Sequence, residues 1–176
     1  MKTNSMKPQE KSFTSNDPST PKSIHLQRIL VPIDFSEYSK NALKYAISFA
    51  AHFKAELLLV YVVEPAVYPA DFSFGQVALP NIEQELRTRG TTELDQLIKS
   101  QIAGKVPARF MVRTGKSFLE IINTAKEEEI DLIIIATHGH TGVEHILFGS
   151  TAEKVVRKAP CPVLVVRTPE REFIAE

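Results

Sequence analysis

Residues Ile133 to Val166 read IIIATHGHTGVEHILFGSTAEKVVRKAPCPVLVV, and this stretch decides the fold class. Ile133 to Ile135 is a short β-branched run of the kind that fills a strand buried on both faces. A loop follows at once, with Gly139 and Gly142 set among Thr137, His138, His140 and Thr141. Ser150 and Glu153 then have the spacing of a capping box, so the next helix is expected to open there and run to about Lys158. Strand, glycine loop and helix start can together make an anion site. The free first-turn N–H groups and the helix dipole face the arriving loop, and glycines let a phosphate approach the backbone. Such junctions also occur in α/β proteins as plain connections, and local pattern leaves both readings open.

Working outward, the same alternation of strand and helix fills the chain. Arg28 to Ile33 reads as the first strand, closed by Asp34-Phe35-Ser36 as a helix cap; Ala42, Tyr45, Ala46, Phe49, Ala50 and Phe53 then recur at helical spacing. Pro32 is tolerable at a strand's end. Asp34 falls at the carboxyl end of that strand, where α/β sheets place ligand contacts, or it serves only to cap. Glu56 to Val63 is a second, almost wholly apolar strand. A helix capped by Asn81 and carrying Ile82, Leu86, Leu94, Leu97 and Ile98 follows, with Gly90 inside it at a cost of about 1 kcal/mol. Ala108 to Val112, Asp131 to Ala136 and Pro162 to Val166 supply three more strands. Gly115-Lys116-Ser117 resembles the end of a P-loop, but Phe110 stands where that motif needs glycine. Alternating elements of this kind imply an α/β, doubly wound, parallel sheet.

Composition narrows the function classes. Lys plus Arg and Asp plus Glu are both 21, so no net charge draws the chain to nucleic acid or an anionic membrane. The single cysteine, Cys161 between two prolines, rules out an internal disulfide and a cysteine-built zinc site. No apolar run approaches the roughly 20 residues that span a bilayer, and the N-terminus lacks a signal peptide's apolar core. The expectation is a cytoplasmic protein. Residues 1–23 are rich in Ser, Thr, Pro and Lys and are expected to be a disordered tail, either inert or tethering. The Pro- and aromatic-rich segment from Glu64 to Pro80 reads as a lid, a partner surface or a loop folded on the body. His138, His140 and His145 lie close in sequence but lack the partners of a dedicated metal site. Ser36 and Ser150 both fall at helix starts, and G-x-S-x-G is absent, so no nucleophile stands out.

Residues 26–167 resemble the universal stress protein (UspA) family, whose nucleotide-binding branch has the signature G-x2-G-x9-G-[ST]. The matching residues are Ala136-Thr137-His138-Gly139, nine residues from His140 to Phe148, then Gly149-Ser150. The flanks Thr137 to Gly142 and Ala159 to Val166 also look typical. Ala136 stands in place of the first glycine, and its methyl is expected to press on the ribose or a neighbouring phosphate. The resemblance implies a Rossmann-like, adenine nucleotide α-hydrolase-like sheet of five strands, order 3-2-1-4-5, within a domain of residues 24–168 followed by a short tail, 169–176. ATP, or ADP or AMP, would lie between the first and fourth strands, with Mg²⁺ or Mn²⁺ on its phosphates. Pro32, Ile33 and Asp34 would meet the adenosine, Val62 the adenine, and Ile135 and Ala136 the ribose. Gly139, Gly149, Ser150 and Thr151 would hold the phosphates. Similar proteins form homodimers through the last strand, here Val163 to Val166, an apolar edge otherwise open to mispairing.

The reading that follows is an ATP-binding regulatory module of the stress response, with at most slow hydrolysis because no base is evident to activate water. One rival is an enzyme of the related α-hydrolase fold, but Pro32-Ile33-Asp34-Phe35-Ser36-Glu37 replaces the S-G-G-x-D-S loop such enzymes carry. The other is a dimeric interaction protein of the same family that binds no nucleotide, which only Ala136 favours.

Overall fold

The apolar runs become strands and the amphipathic runs helices, in a computed structural model that describes residues 23–65, 80–138 and 149–167. Expectations that fall on residues 1–22, 66–79, 139–148 and 168–176, which make up most of the tails and the aromatic loop and all of Gly139 to Phe148, lie outside the described residues. The strands are β1 (Arg28–Pro32), β2 (Glu56–Val63), β3 (Ala108–Thr114), β4 (Leu132–Ala136) and β5 (Val163–Val166). Between them lie α1 (Glu37–Phe53), α2 (Pro80–Leu97), α3 (Ser117–Glu127) and α4 (Ser150–Lys158). All strand pairs are parallel, in the order β3-β2-β1-β4-β5. The expected sheet is the observed one.

Two cores explain why the central strands are apolar throughout. Ile29, Val31, Leu57, Leu59 and Ile134 point to the side covered by α1 and α2, packing on Leu43, Ala46 and Leu94. Leu30, Leu58, Val60, Ile133 and Ile135 point to the other side, against Ile121 and Ala125 of α3 and Ala152 and Val155 of α4. A strand covered on both faces has no reason to alternate polar and apolar residues, and β1, β2 and β4 do not. The edge strands β3 and β5 remain partly exposed along most of their length.

Several local expectations are corrected. β1 ends at Pro32, and Ile33 follows it with its N–H bonded to Val60 O at 2.8 Å. Asp131 stands outside β4 because its carboxylate accepts from the N–H groups of Gln27 and Arg28, at 2.7 and 2.9 Å, tying down the entry to β1. β3 runs two residues beyond Val112, paired with β2 as far as Thr114. Helix α2 starts at Pro80 rather than after an Asn81 cap, which suits proline's fixed φ at a first helical position. Its last turn widens into a π-helical turn, Ile98–Ile102, closed by Ala103 N–H to Ile98 O at 2.9 Å. Leu94 is fully buried, whereas Ile82 and Leu86 are 39% and 37% exposed, so the second half of α2 supplies its apolar packing, while Arg87 of the first half reaches β3 by donating to Thr114 Oγ1 and Val112 O. Gly90 has a packing reason. A Cβ there would lie 2.6 Å from Cε1 of Tyr61, so the helix backbone and that ring share the space of one side chain.

Candidate functional site

Chain direction opens a crevice between β1 and β4. From the carboxyl end of β1 the chain turns into α1 on one face of the sheet; beyond β4 it reaches α4 on the other. Such a reversal leaves a gap at the strands' carboxyl ends, where open α/β sheets hold ligands.

On the β1 side, Asp34, Phe35 and Ser36 make the turn. Ser36 is the cap of α1, its hydroxyl accepting from Ser39 N–H at 3.2 Å. Asp34 does not cap the helix. Its Oδ1 accepts from the Ser36 N–H at 3.0 Å and from the Ser36 hydroxyl at 2.6 Å, so the carboxylate orients the residue that does. Ser39, 3% exposed, donates its hydroxyl to Ser36 O at 3.0 Å. Phe35, between them, has φ +65°, a left-handed conformation that a bulky side chain rarely adopts.

On the β4 side, Thr137 N–H continues the ladder to Val166 O at 3.0 Å, and its carbonyl accepts from Gly149 N–H at 2.8 Å. That last bond joins the end of β4 to the start of α4 across the intervening loop. A Cβ on Gly149 would sit 3.1 Å from Thr137 O, so the glycine is needed for this close approach as well as for any ligand. Thr137 Oγ1 and His138 Nδ1 lie 2.9 Å apart, and the His138 ring sits 5.7 Å from that of Tyr38 on α1, so a residue following β4 meets one following β1.

The capping box is not formed. Gly149 is the cap residue, and no side chain among the described residues caps α4. Ser150 is the first helical residue, exposed to solvent, and the Glu153 carboxylate pairs instead with Arg157 at 3.0 Å. Pinning Gly149 N–H to β4 starts the helix one residue ahead of the sequence pattern. An N-terminus without a side-chain cap is left with first-turn N–H groups that have no intrahelical acceptor.

The expected ligand residues divide by face. Val62 and Ile135 turn toward α3 and α4, and strand alternation puts Pro32 on that side too. Ile33 and Ala136 turn the other way and are 3% and 7% exposed within the α1–α2 core. Ile33 therefore has neither a free N–H nor an exposed side chain to offer, and the Ala136 methyl is occupied with packing. Asp34, Gly149, Ser150 and Thr151 flank the crevice, and Gly139 lies outside the described residues. Among the described residues no group of three His, Cys, Asp or Glu could hold a metal, and no helix is long and apolar enough to cross a membrane. His140 and His145 lie outside them.

Sequence reasoning missed Phe35, Tyr38 and Thr137. Thr137 was legible as the first polar residue after an apolar strand, but nothing in the sequence marks a left-handed Phe35. Near Val62, Glu64 accepts from Ser117 N–H at 2.7 Å, so it serves α3, whose own cap residue Lys116 makes no capping bond. Hydrogen bonding from Ser117 is the main reason the Glu64 carboxyl is held below its usual value, with Lys154 and Lys116 contributing.

Other proteins share both sequence and fold. The sequence profile of the universal stress protein family matches residues 25–167. Universal stress protein MJ0531 of Methanocaldococcus jannaschii is 35% identical over 149 residues, 83% of this chain and 85% of its own. The structure of universal stress protein UspA from Lactobacillus plantarum superposes with a TM-score of 0.70 at 26% identity, over 82% of this chain and all of that one. More distant structures share the fold. One is a universal stress protein in complex with cAMP (TM-score 0.60, 22% identity, 82% of this chain and 99% of that one). Another is an Arabidopsis thaliana family protein with AMP bound (TM-score 0.57, 17% identity, 80% and 91%). A profile match across the whole described sheet and relatives aligned over most of their own length lead to one conclusion: this chain belongs to the universal stress protein family.

Proposed function

We propose that the chain binds an adenine nucleotide, ATP foremost, in the β1–β4 crevice and acts as a cytoplasmic, nucleotide-dependent regulatory module of the stress response. The observation behind this reading is that no side chain among the described residues caps α4, and that its cap residue Gly149 is bonded back to the turn leaving β4, opposite the Asp34–Ser36 turn. Backbone N–H groups in that arrangement are suited to phosphate oxygens, and Ser150 and Thr151 add hydroxyls. The apolar Val62 and Pro32, both partly exposed, give a flat base or a ribose a surface on the α3–α4 side, with the buried Ile135 packed on the same side. That the family structures with cAMP and AMP share this fold agrees with an adenosine ligand. Mg²⁺ or Mn²⁺ would ride on the phosphates, supplying charge neutralisation with few protein ligands.

The site is read as one that holds nucleotide, with hydrolysis at most slow. Homodimerisation through Val163–Val166 would cover an edge strand whose Val163, Leu164 and Val165 are only half-buried. The rival reading of a family member without nucleotide depended on Ala136, and the packing of that methyl in the α1–α2 core weakens it. Native mass spectrometry of the purified protein, followed by calorimetric titration with ATP and Mg²⁺, tests the proposal. Co-purified nucleotide or micromolar affinity is expected. Absence of both would leave the interaction-only reading.

A further inference from the structure

Among the described residues, three non-glycine positions have a left-handed backbone: Phe35, Lys54 and Glu129. Lys54 and Glu129 follow the ends of α1 and α3, where such a conformation commonly closes a helix. Phe35 has no such excuse. It is a bulky residue between a strand and a helix, inside the turn that presents Asp34 and Ser36 to the crevice. Strain at such a place persists only when the surroundings impose it.

The Phe35 ring packs on that of Tyr61. The two ring centroids lie 5.0 Å apart, tilted by 48°. The Tyr61 ring also lies against Gly90 of α2, where a single Cβ would come within 2.6 Å of Cε1. Tyr61 points to the α1–α2 side of β2, while the next residue, Val62, points to the α3–α4 side with Ile135. Tyr61 thus stands on the opposite face from the adenosine surface suggested above.

We propose that Tyr61, seated against Gly90, is a positioning residue that holds Phe35 left-handed and so fixes the Asp34–Ser36 turn for the nucleotide. The inference rests on the nucleotide reading of the crevice. It also explains why a glycine interrupts α2, since any larger residue would drive the ring off its seat and toward the turn.

The test uses the full chain, with affinity for ATP and Mg²⁺ measured by titration well below the unfolding temperature. Tyr61→Phe keeps the ring and should bind like the parent. Tyr61→Ala should bind about tenfold more weakly, since misplacing a binding group by an ångström or less has effects of that order or larger. Gly90→Ala should also weaken binding, but adding it to Tyr61→Ala should cost nothing more, because the clash has gone with the ring. A ring that merely packs would lower the unfolding temperature in Tyr61→Ala and leave affinity intact, which overturns the proposal. Amide exchange gives a readout without ligand. The Ser36 and Ser39 N–H groups, both bonded within the turn, should exchange faster in Tyr61→Ala, while those of Ala46 and Ala50 should not. If the parent chain binds no nucleotide, the functional reading fails, and unchanged exchange at Ser36 and Ser39 would separately refute the positioning role.

Discussion

Replacing Ala136 by glycine restores the residue that the family signature has at that position, and the structure makes a definite forecast for the swap. The methyl is 7% exposed, in the core shared with α1, on the opposite face of the sheet from Val62 and Ile135. Removing it gives up one buried carbon, about 0.8 kcal/mol. Freeing the backbone of a strand residue adds roughly 0.5–1 kcal/mol. Together Ala136→Gly should cost about 1.5 kcal/mol, which in a domain of this size lowers the melting temperature by roughly 3–6 °C. Affinity for ATP, measured by calorimetry on the folded protein, should stay within about twofold, because the methyl does not line the α3–α4 side of the crevice. Were the methyl pressing on ribose or phosphate, the glycine would strengthen binding; a tenfold gain is about 1.4 kcal/mol. A gain of that size with an unchanged melting temperature would refute the assignment of faces on which this reasoning stands.

Three further outcomes follow from the geometry. Ser36→Ala removes the cap of α1 and a hydroxyl donor to the Asp34 carboxylate, and urea unfolding should show a loss of about 2 kcal/mol; Ser36→Thr should recover most of it. Glu64→Gln should destabilise at neutral pH by about 0.5 kcal/mol, the scale of a solvent-exposed charge at a helix start. Since the folded state lowers the Glu64 pKa, its contribution is present above the ordinary glutamate range and lost as pH falls through the folded value. Parent and variant should therefore converge in acid, and a constant gap from pH 7 to pH 3 would contradict this. Burial pushes the half-buried Cys161 thiol up, with Asp131 nearby adding to the effect, so its reaction with a disulfide reagent at pH 7.5 should run at least about tenfold slower than that of free cysteine.

The order of elements and the parallel sheet were legible because the apolar runs of β1, β2 and β4 are long enough to need cover on both faces. The β1–β4 crevice was legible for the same reason, as the place where the chain changes sides. Local pattern failed where a tertiary contact overrode it. The Ser150–Glu153 spacing promises a capping box, but the bond from Gly149 N–H to Thr137 O starts the helix earlier and leaves the serine exposed. The family resemblance implied that Ala136 and Ile33 meet the ligand, yet alternation turns their side chains into the α1–α2 core. Gly90 looked like a defect in a helix and proves to be the seat of a ring. None of these is visible without knowing which strand lies beside which helix.

The bonds from Gln27 and Arg28 to Asp131 lock together segments up to 104 residues apart in sequence, at the seam where β1 meets β4. Closing so long a loop is entropically expensive and slow, so this seam should form late in folding. During synthesis the first half of the chain can pair β1 with β2 but must wait with the other edge of β1 open until Leu132 emerges. The crevice is therefore assembled by the final docking event, and a chain cut short before β4 would present an unsealed apolar strand to chaperones and to other nascent chains.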